Sequence, residues 1–463
     1  MKLKLFPKNE QELSKLFVLI FPLILLLSLT ISFFKNAYFT FANLLPNNVI
    51  FNYGFLDRLD TQASYGLVFG ASLCLSFSYL FAKSLGRAMF LFPIVFLTLL
   101  GIVGTEFLDI LIYFIFQNTA YDLGNSSLLI LLKILAVFGL FSLASLNLLV
   151  KKEVSIFASA QFLYGAIVFY LISLFIVRTE LQVFSDIFLI NSLYTSTHVY
   201  VGFVFIYMAI VHFLMTRPLG AIMFNKTLAS ITFWGFLFLL PWTNFKYYYG
   251  SVLPNWMENI SIYLSMSLIV PLLAFLVNYI KTIQSKEVNQ TESPNLLNFS
   301  VILFSITIIF HLVSGFENLL PILGITNFVN AINYGFSGSL VLATISLSYY
   351  LVPKLFGREV AYSRLEDIVF FGFKISYILI LINNAVLGIN SGYSWNAGAN
   401  AGNPTIYGEG FEIVWNLTSF NFSLNTFISL LLLGSGFLYF ISVLRAISSG
   451  SITTVEEMVY TNE

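Results

Sequence analysis

Apolar residues run along this chain in long unbroken blocks, with neither the alternation of a half-buried strand nor the three-four spacing of a surface helix. Twelve blocks stand out, with cores at 16–34, 63–82, 88–113, 128–150, 156–177, 198–216, 227–245, 259–280, 298–316, 334–352, 366–390 and 424–444. Each is long enough to cross the hydrocarbon as a helix, which takes about 20 residues. A closed barrel would instead show segments of about ten residues with alternating polarity. The pattern predicts an all-α membrane protein of twelve transmembrane helices. No sharp boundary divides it, so 1–463 reads as a single polytopic membrane domain. Two connections stand apart. The polar stretch 283–297 reads as a cytoplasmic linker, and 392–410, rich in Gly, Asn and Ala, reads as an outer loop. The first block follows Lys2, Lys4, Lys8 and Lys15 without a small-residue cleavage site, and is expected to be retained as a span.

Composition sharpens this picture. Charged residues make up 10% and hydrophobic ones 58%, against about 25% charged in a soluble domain. A soluble globular protein is therefore excluded. Lys+Arg and Asp+Glu balance at 22 each, so no basic surface for nucleic acid is expected. The single cysteine, Cys74, excludes an internal disulfide, a zinc ribbon and a thiolate-held cluster. Basic residues divide unevenly between the connections. Sixteen lie at the termini and even-numbered connections, from Lys2 to Arg445, and four (Lys35, Arg58, Arg178 and Lys246) at the odd-numbered ones. That asymmetry places both termini on the cytoplasmic side.

Several stretches resemble the large subunit of the heme–copper oxidases, the cbb3-type branch in particular. YYLVPKLFGRE at 349–359 is similar to the end of that family's tenth helix and the following loop. THVYVGF at 197–203 resembles the start of the sixth, and the segment from FW at 233–234 to VLPNW at 252–256 resembles the seventh helix and its outer loop. LDTQASYG at 59–66, VKKEVSIFASAQF at 150–162 and GFEN at 315–318 resemble parts of the second helix, the fourth-to-fifth loop and the ninth helix. The resemblance runs in order over about 15–390. It implies the heme–copper oxidase subunit I fold in a bacterial or mitochondrial inner membrane, with other respiratory-complex subunits and lipids as partners.

The resemblance also implies six histidine ligands, because imidazole nitrogen suits both heme iron and copper. This chain has three histidines, His198, His212 and His311. Where the second helix of the family offers an axial histidine, the chain has Asp60. Where the tenth offers two histidines spaced by one residue, it has Ala331 and Asn333. Where the seventh offers adjacent copper ligands, it has Lys246 and Tyr247, and the family's tyrosine is replaced by Leu240. Only His198 stands at a ligand position, that of the first copper histidine, and Glu317 retains the carboxylate of the ninth-helix motif. An ammonium at Lys246 repels a cation. Heme and copper are both expected to be absent.

The remaining charges have ordinary readings. Glu106 and Asp109, three residues apart on one helix face, are expected to sit exposed at the interface, with cation or partner binding as the alternative. Lys133, about five residues into its run, reads as a snorkelling lysine. His198 reads as a buried, hydrogen-bonded histidine, a leftover ligand or a proton relay. Lys246 is expected either to pair with Glu317 or to snorkel to the interface. Three functions follow. The first is a non-catalytic structural subunit of a respiratory complex. The second is an ion or proton path through His198, Lys246, Glu317 and Asp60. The third is an oxidase or nitric oxide reductase with unusual ligation.

Overall fold

The computed structural model describes residues 7–41, 53–85, 88–116, 126–150, 158–178, 189–190, 192–216, 223–248, 254–284, 292–316, 318–324, 326–358, 360, 364–400 and 406–450. Twelve long helices account for nearly all of them. They are α1 (Glu10–Thr40), α2 (Tyr53–Ser84), α3 (Phe92–Phe116), α4 (Ser126–Leu149), α5 (Ala158–Arg178), α6 (Ser192–Thr216), α7 (Lys226–Tyr248), α8 (Asn255–Gln284), α9 (Glu292–Val313), α10 (Thr326–Phe356), α11 (Arg364–Asn400) and α12 (Ile406–Ser449). Eleven are long and apolar enough to cross a membrane. The remaining block, 366–390, lies within α11, a 37-residue helix that packs between α10 and α12.

Helices adjacent in the chain mostly pack against each other, and α12 returns to α1, closing a ring. Contact between α6 and α10 crosses its centre. Burial separates inner from outer helices. The apolar stretches of α2, α6 and α10 are 89–94% buried, whereas those of the other candidate spans are 33–56% buried. The outer helices turn Leu97, Leu128, Leu135 and Phe138 outward. In water such a surface would drive aggregation; in lipid it is the natural solvent-facing side. The chain is therefore an integral membrane protein.

Two expected connections shrink. The outer loop 392–410 is helical through Asn400 and again from Ile406. Its glycines and asparagines weaken helix propensity only by about 1 kcal/mol or less each, which tertiary packing overrides. Gly388 shows how close that packing is, since a Cβ there would lie 2.5–2.7 Å from backbone atoms of Phe328 in α10. The linker 283–297 also narrows, because α8 reaches Gln284 and α9 starts at Glu292.

Alternating helix direction has a positional consequence. The ends of odd-numbered helices and the starts of even-numbered ones share one end of the bundle. Lys35, Asp60, Glu106, Lys133, His198, Lys246 and His311 all lie toward that end.

Candidate functional site

Two of the central helices carry widened, π-helical turns where the candidate residues sit: Gln62–Leu67 in α2 and Thr195–Gly202 in α6. Such a turn interrupts the regular ladder and leaves backbone groups available to neighbours. The Tyr65 carbonyl is used in this way, accepting a hydrogen bond from His198 Nε2 at 2.7 Å. That bond fixes the neutral tautomer, with Nδ1 as the acceptor. Nδ1 is buried without a hydrogen-bond partner. The ring is packed among Tyr194 (stacked, 5.2 Å), Phe69 (4.6 Å) and Tyr170 (5.2 Å).

Beside it lies an ionic group absent from the sequence expectations. Lys133 Nζ donates to Glu106 Oε2 at 2.9 Å and to Asp109 Oδ2 at 2.6 Å, and Tyr170 Oη donates to Glu106 Oε1 at 2.7 Å. Glu106 is buried, contrary to the exposure expected of it, and Lys133 is held inside the bundle and does not snorkel. The reason is reciprocal. The two carboxylates one turn apart on α3 and the lysine on α4 each supply the countercharge that makes burial of the other tolerable. A cavity of about 230 Å³ is lined by this group together with Arg58, Gln62, Tyr194 and His198.

Asp60 belongs to a second group. Its Oδ2 accepts from Lys35 Nζ at 2.9 Å, its Oδ1 accepts from Ser64 Oγ at 3.3 Å, and Asp57 also pairs with Lys35 at 2.8 Å. Lys35 comes from the end of α1, whose apolar pattern gives no sign that its last turn reaches across to α2. From α10, Tyr334 is close enough to couple electrostatically with Lys35 and Asp60. Ala331 and Asn333 are both buried, and Asn333 Oδ1 has no partner.

Lys246 anchors the third group. It is fully buried, so it does not snorkel to the interface. Its Nζ donates to the His311 carbonyl, and it lies 5.0 Å from the Tyr247 ring. Its expected partner Glu317 lies outside the described residues. Tyr247 Oη bonds to His311 Nδ1 at 3.0 Å and to Ser314 Oγ at 2.9 Å. His311, which the ligand spacing leaves aside, is thus brought directly against the Lys246–Tyr247 pair. A ridge of buried rings surrounds it, with Tyr200 edge-on at 5.0 Å and Phe336 beyond. Phe336 and Tyr334 have one residue between them, the same spacing as the family's tenth-helix histidines, and they face the third and second groups respectively. They were missed because Ala331 and Asn333 satisfy the same spacing, and only packing separates the two pairs. His212 stays apart, bonded to its own helix at the Met208 carbonyl and stacked on Phe162.

The described hydrogen bonds and ion pairs do not join the three groups. Their donor sets do not resemble a heme or copper site either. Asp60 is engaged by Lys35, Lys246 donates to a backbone carbonyl at the end of a helix, and the facing positions on α10 are a phenol and a phenyl ring. No three His, Cys, Asp or Glu side chains converge to hold a metal ion among the described residues.

The model of the family described as Cytochrome C and Quinol oxidase polypeptide I matches residues 14–427. The chain belongs to that family. Among curated members, the cbb3-type cytochrome c oxidase subunit CcoN1 of Stutzerimonas stutzeri is 25% identical over 203 residues, 41% of this chain and 41% of that subunit. The chain thus matches about two fifths of that relative's length. A solved cryo-EM structure of a heme-copper terminal oxidase dimer superposes with a TM-score of 0.73 at 14% identity, covering 96% of this chain and 86% of the solved one. At that identity the likeness concerns the heme–copper oxidase subunit I fold alone.

Proposed function

We propose that this chain is a heme-free and copper-free member of the oxidase polypeptide I family that serves as a non-catalytic structural subunit of a membrane respiratory complex. The observation that carries the reading is the Lys35–Asp60–Asp57 ion pair. It stands where the family resemblance puts an axial histidine, and it engages Asp60, the residue at that position, with the Lys35 amine. The Lys246–Tyr247–His311 group supports it from the other side, since Lys246 meets a backbone carbonyl and Tyr247 meets His311 and Ser314. Neither Lys246 nor Tyr247 offers the imidazole nitrogen that suits a copper ion.

The ring of apolar outer helices gives such a subunit its contact surface. Leucine and phenylalanine side chains on α3 and α4 suit either lipid tails or the apolar helices of neighbouring subunits. Both termini are assigned to the cytoplasmic or matrix face by the distribution of basic residues.

The test is a pyridine hemochrome assay and metal analysis on the purified chain, freed of other subunits. Well under one heme and one copper per chain is the expected result. One or two hemes per chain would overturn the reading. Native gel electrophoresis of solubilised membranes should place the chain in a larger assembly. Migration solely as the free polypeptide would remove the structural-subunit role.

A further inference from the structure

At the end of the bundle opposite the three charged groups, the chain turns out of α10 and leaves α12. Gly357 makes the turn with a positive φ of 61° and donates to the Pro353 carbonyl at 2.9 Å. The next residue, Arg358, donates from its guanidinium to the Gly450 carbonyl at 2.8 Å. Gly450 closes the last turn of α12 by donating to the Ala446 carbonyl at 3.1 Å. Arg358 thus satisfies a carbonyl at the negative end of the α12 dipole. It also fixes the point from which the chain continues.

Three lysines lie around that point. Lys354, in the last turn of α10, rests over the Tyr350 ring at 4.7 Å. Lys15 of α1 rests over the Phe356 ring, and Lys83 of α2 over the Tyr79 ring, each at 5.8 Å. Phe213 of α6 stands 5.9 Å from both Tyr79 and Tyr350, so a row of rings ties Lys83 to Lys354. All four cations are half-buried. The rings hold the lysines in position, so an anionic group that meets them costs little further side-chain entropy. Three carboxylates at the same end take donors of their own. Glu10 accepts from Met89 N, Glu12 from Lys8 N and Glu366 from Ser442 Oγ.

The residues after Gly450 supply the complementary charge. They include Glu456, Glu457 and Glu463 and no basic side chain. Six residues of extended chain span about 20 Å, enough to bring Glu456 and Glu457 over the end of α10. A short tether also gives these carboxylates an effective concentration of about a millimolar at the patch. We infer that the acidic segment following Gly450 docks on this basic patch, with Glu456 and Glu457 against Lys15, Lys354 and Arg358. It acts as an intramolecular latch across the ends of α1, α10 and α12. The inference goes beyond the structural-subunit reading and stands whether or not that reading holds.

Carbodiimide cross-linking of the full chain in detergent, followed by peptide mass spectrometry, tests it. The reagent joins a carboxylate to a touching amine as an amide. Lys35 and the half-exposed Asp57, 2.8 Å apart, provide the internal control. Cross-links from Glu456 or Glu457 to Lys15 or Lys354 are expected, and they should fall severalfold in about 1 M salt, where the screening length is about 3 Å. A control cross-link without any between the segment and these lysines would overturn the inference. In a mixture of unlabelled and nitrogen-15-labelled chains, the cross-linked peptides should carry a single label. Mixed labels in statistical proportion would mean docking between copies and would overturn it too. Glu456→Lys combined with Glu457→Lys should raise the acetylation rates of Lys15 and Lys354 severalfold relative to Lys226, which is exposed on α7. If those rates follow the anionic lipid content of the micelles and ignore the substitutions, headgroups occupy the patch and the latch does not exist.

Discussion

Two buried lysines carry opposite expectations, because what each faces differs. Lys133 lies between Glu106 and Asp109, so Lys133→Met would leave two carboxylates confronting each other with little water. Breaking a buried pair from one side costs about 3–5 kcal/mol, and a drop of that size in unfolding free energy in detergent is the expected outcome. Adding Glu106→Gln and Asp109→Asn to the same variant should recover much of the loss. Lys246 has no such partner among the described residues. Its Nζ donates to the His311 carbonyl, which also accepts from Ser314 Oγ at 2.8 Å. Lys246→Met therefore removes a buried polar group without stranding an acceptor. Its unfolding midpoint should stay the same or rise, and a loss comparable to that of Lys133→Met would mean that an acidic partner had been broken. The sequence made Lys246 legible as a misfit at a ligand position. The role of Lys133 was hidden, because its partners lie on another helix and no local spacing announces a contact across 24 or 27 residues.

At the scale of helices, the block pattern located all twelve elements, since burial in lipid demands continuous apolar length. At 392–400 a composition typical of loops continues as helix. The pairing of α11 with α12 rests on a ladder of amides that hydropathy registers only as polar interruptions. Asn383 Nδ2 donates to the Asn421 carbonyl and to Asn425 Oδ1, both at 2.8 Å. Asn421 Nδ2 returns a bond to Asn383 Oδ1 at 2.7 Å, and Asn425 Nδ2 reaches Asn384 Oδ1 at 3.2 Å. Side-chain hydrogen bonds between membrane helices average about 0.6 kcal/mol. Asn383→Ala forfeits three of them and should cost about 2 kcal/mol, read as a lowered midpoint in a denaturing-detergent titration. Asn390→Ala, outside the ladder, serves as the control and should change the midpoint far less. If the two variants behave alike, the ladder does not hold the helices together.

Across the whole molecule, the question is what occupies the middle of a bundle whose relatives in the family resemblance hold large cofactors there. The described core is dense in rings. Phe304 of α9 stacks on Tyr207 at 4.8 Å and meets Phe236, Phe275 and Phe336 at 5.9–6.0 Å, so one phenylalanine touches α6, α7, α8 and α10 at once. Fifty-one phenylalanines in the chain made ring filling a plausible expectation, but composition cannot say which rings converge. Truncating such a hub removes its transfer energy and leaves a void that rigid neighbours close only in part. Phe304→Ala should therefore lower stability by about 3–5 kcal/mol. It should also separate two accounts of the core. If aromatic packing is all that the centre contains, the variant will be less stable and will still take up no heme when hemin is titrated in, because no nitrogen donor set is created. A Soret band that appears in the natural chain on adding hemin would mean that the slot and its ligands are intact, and that the rings leave room for a heme.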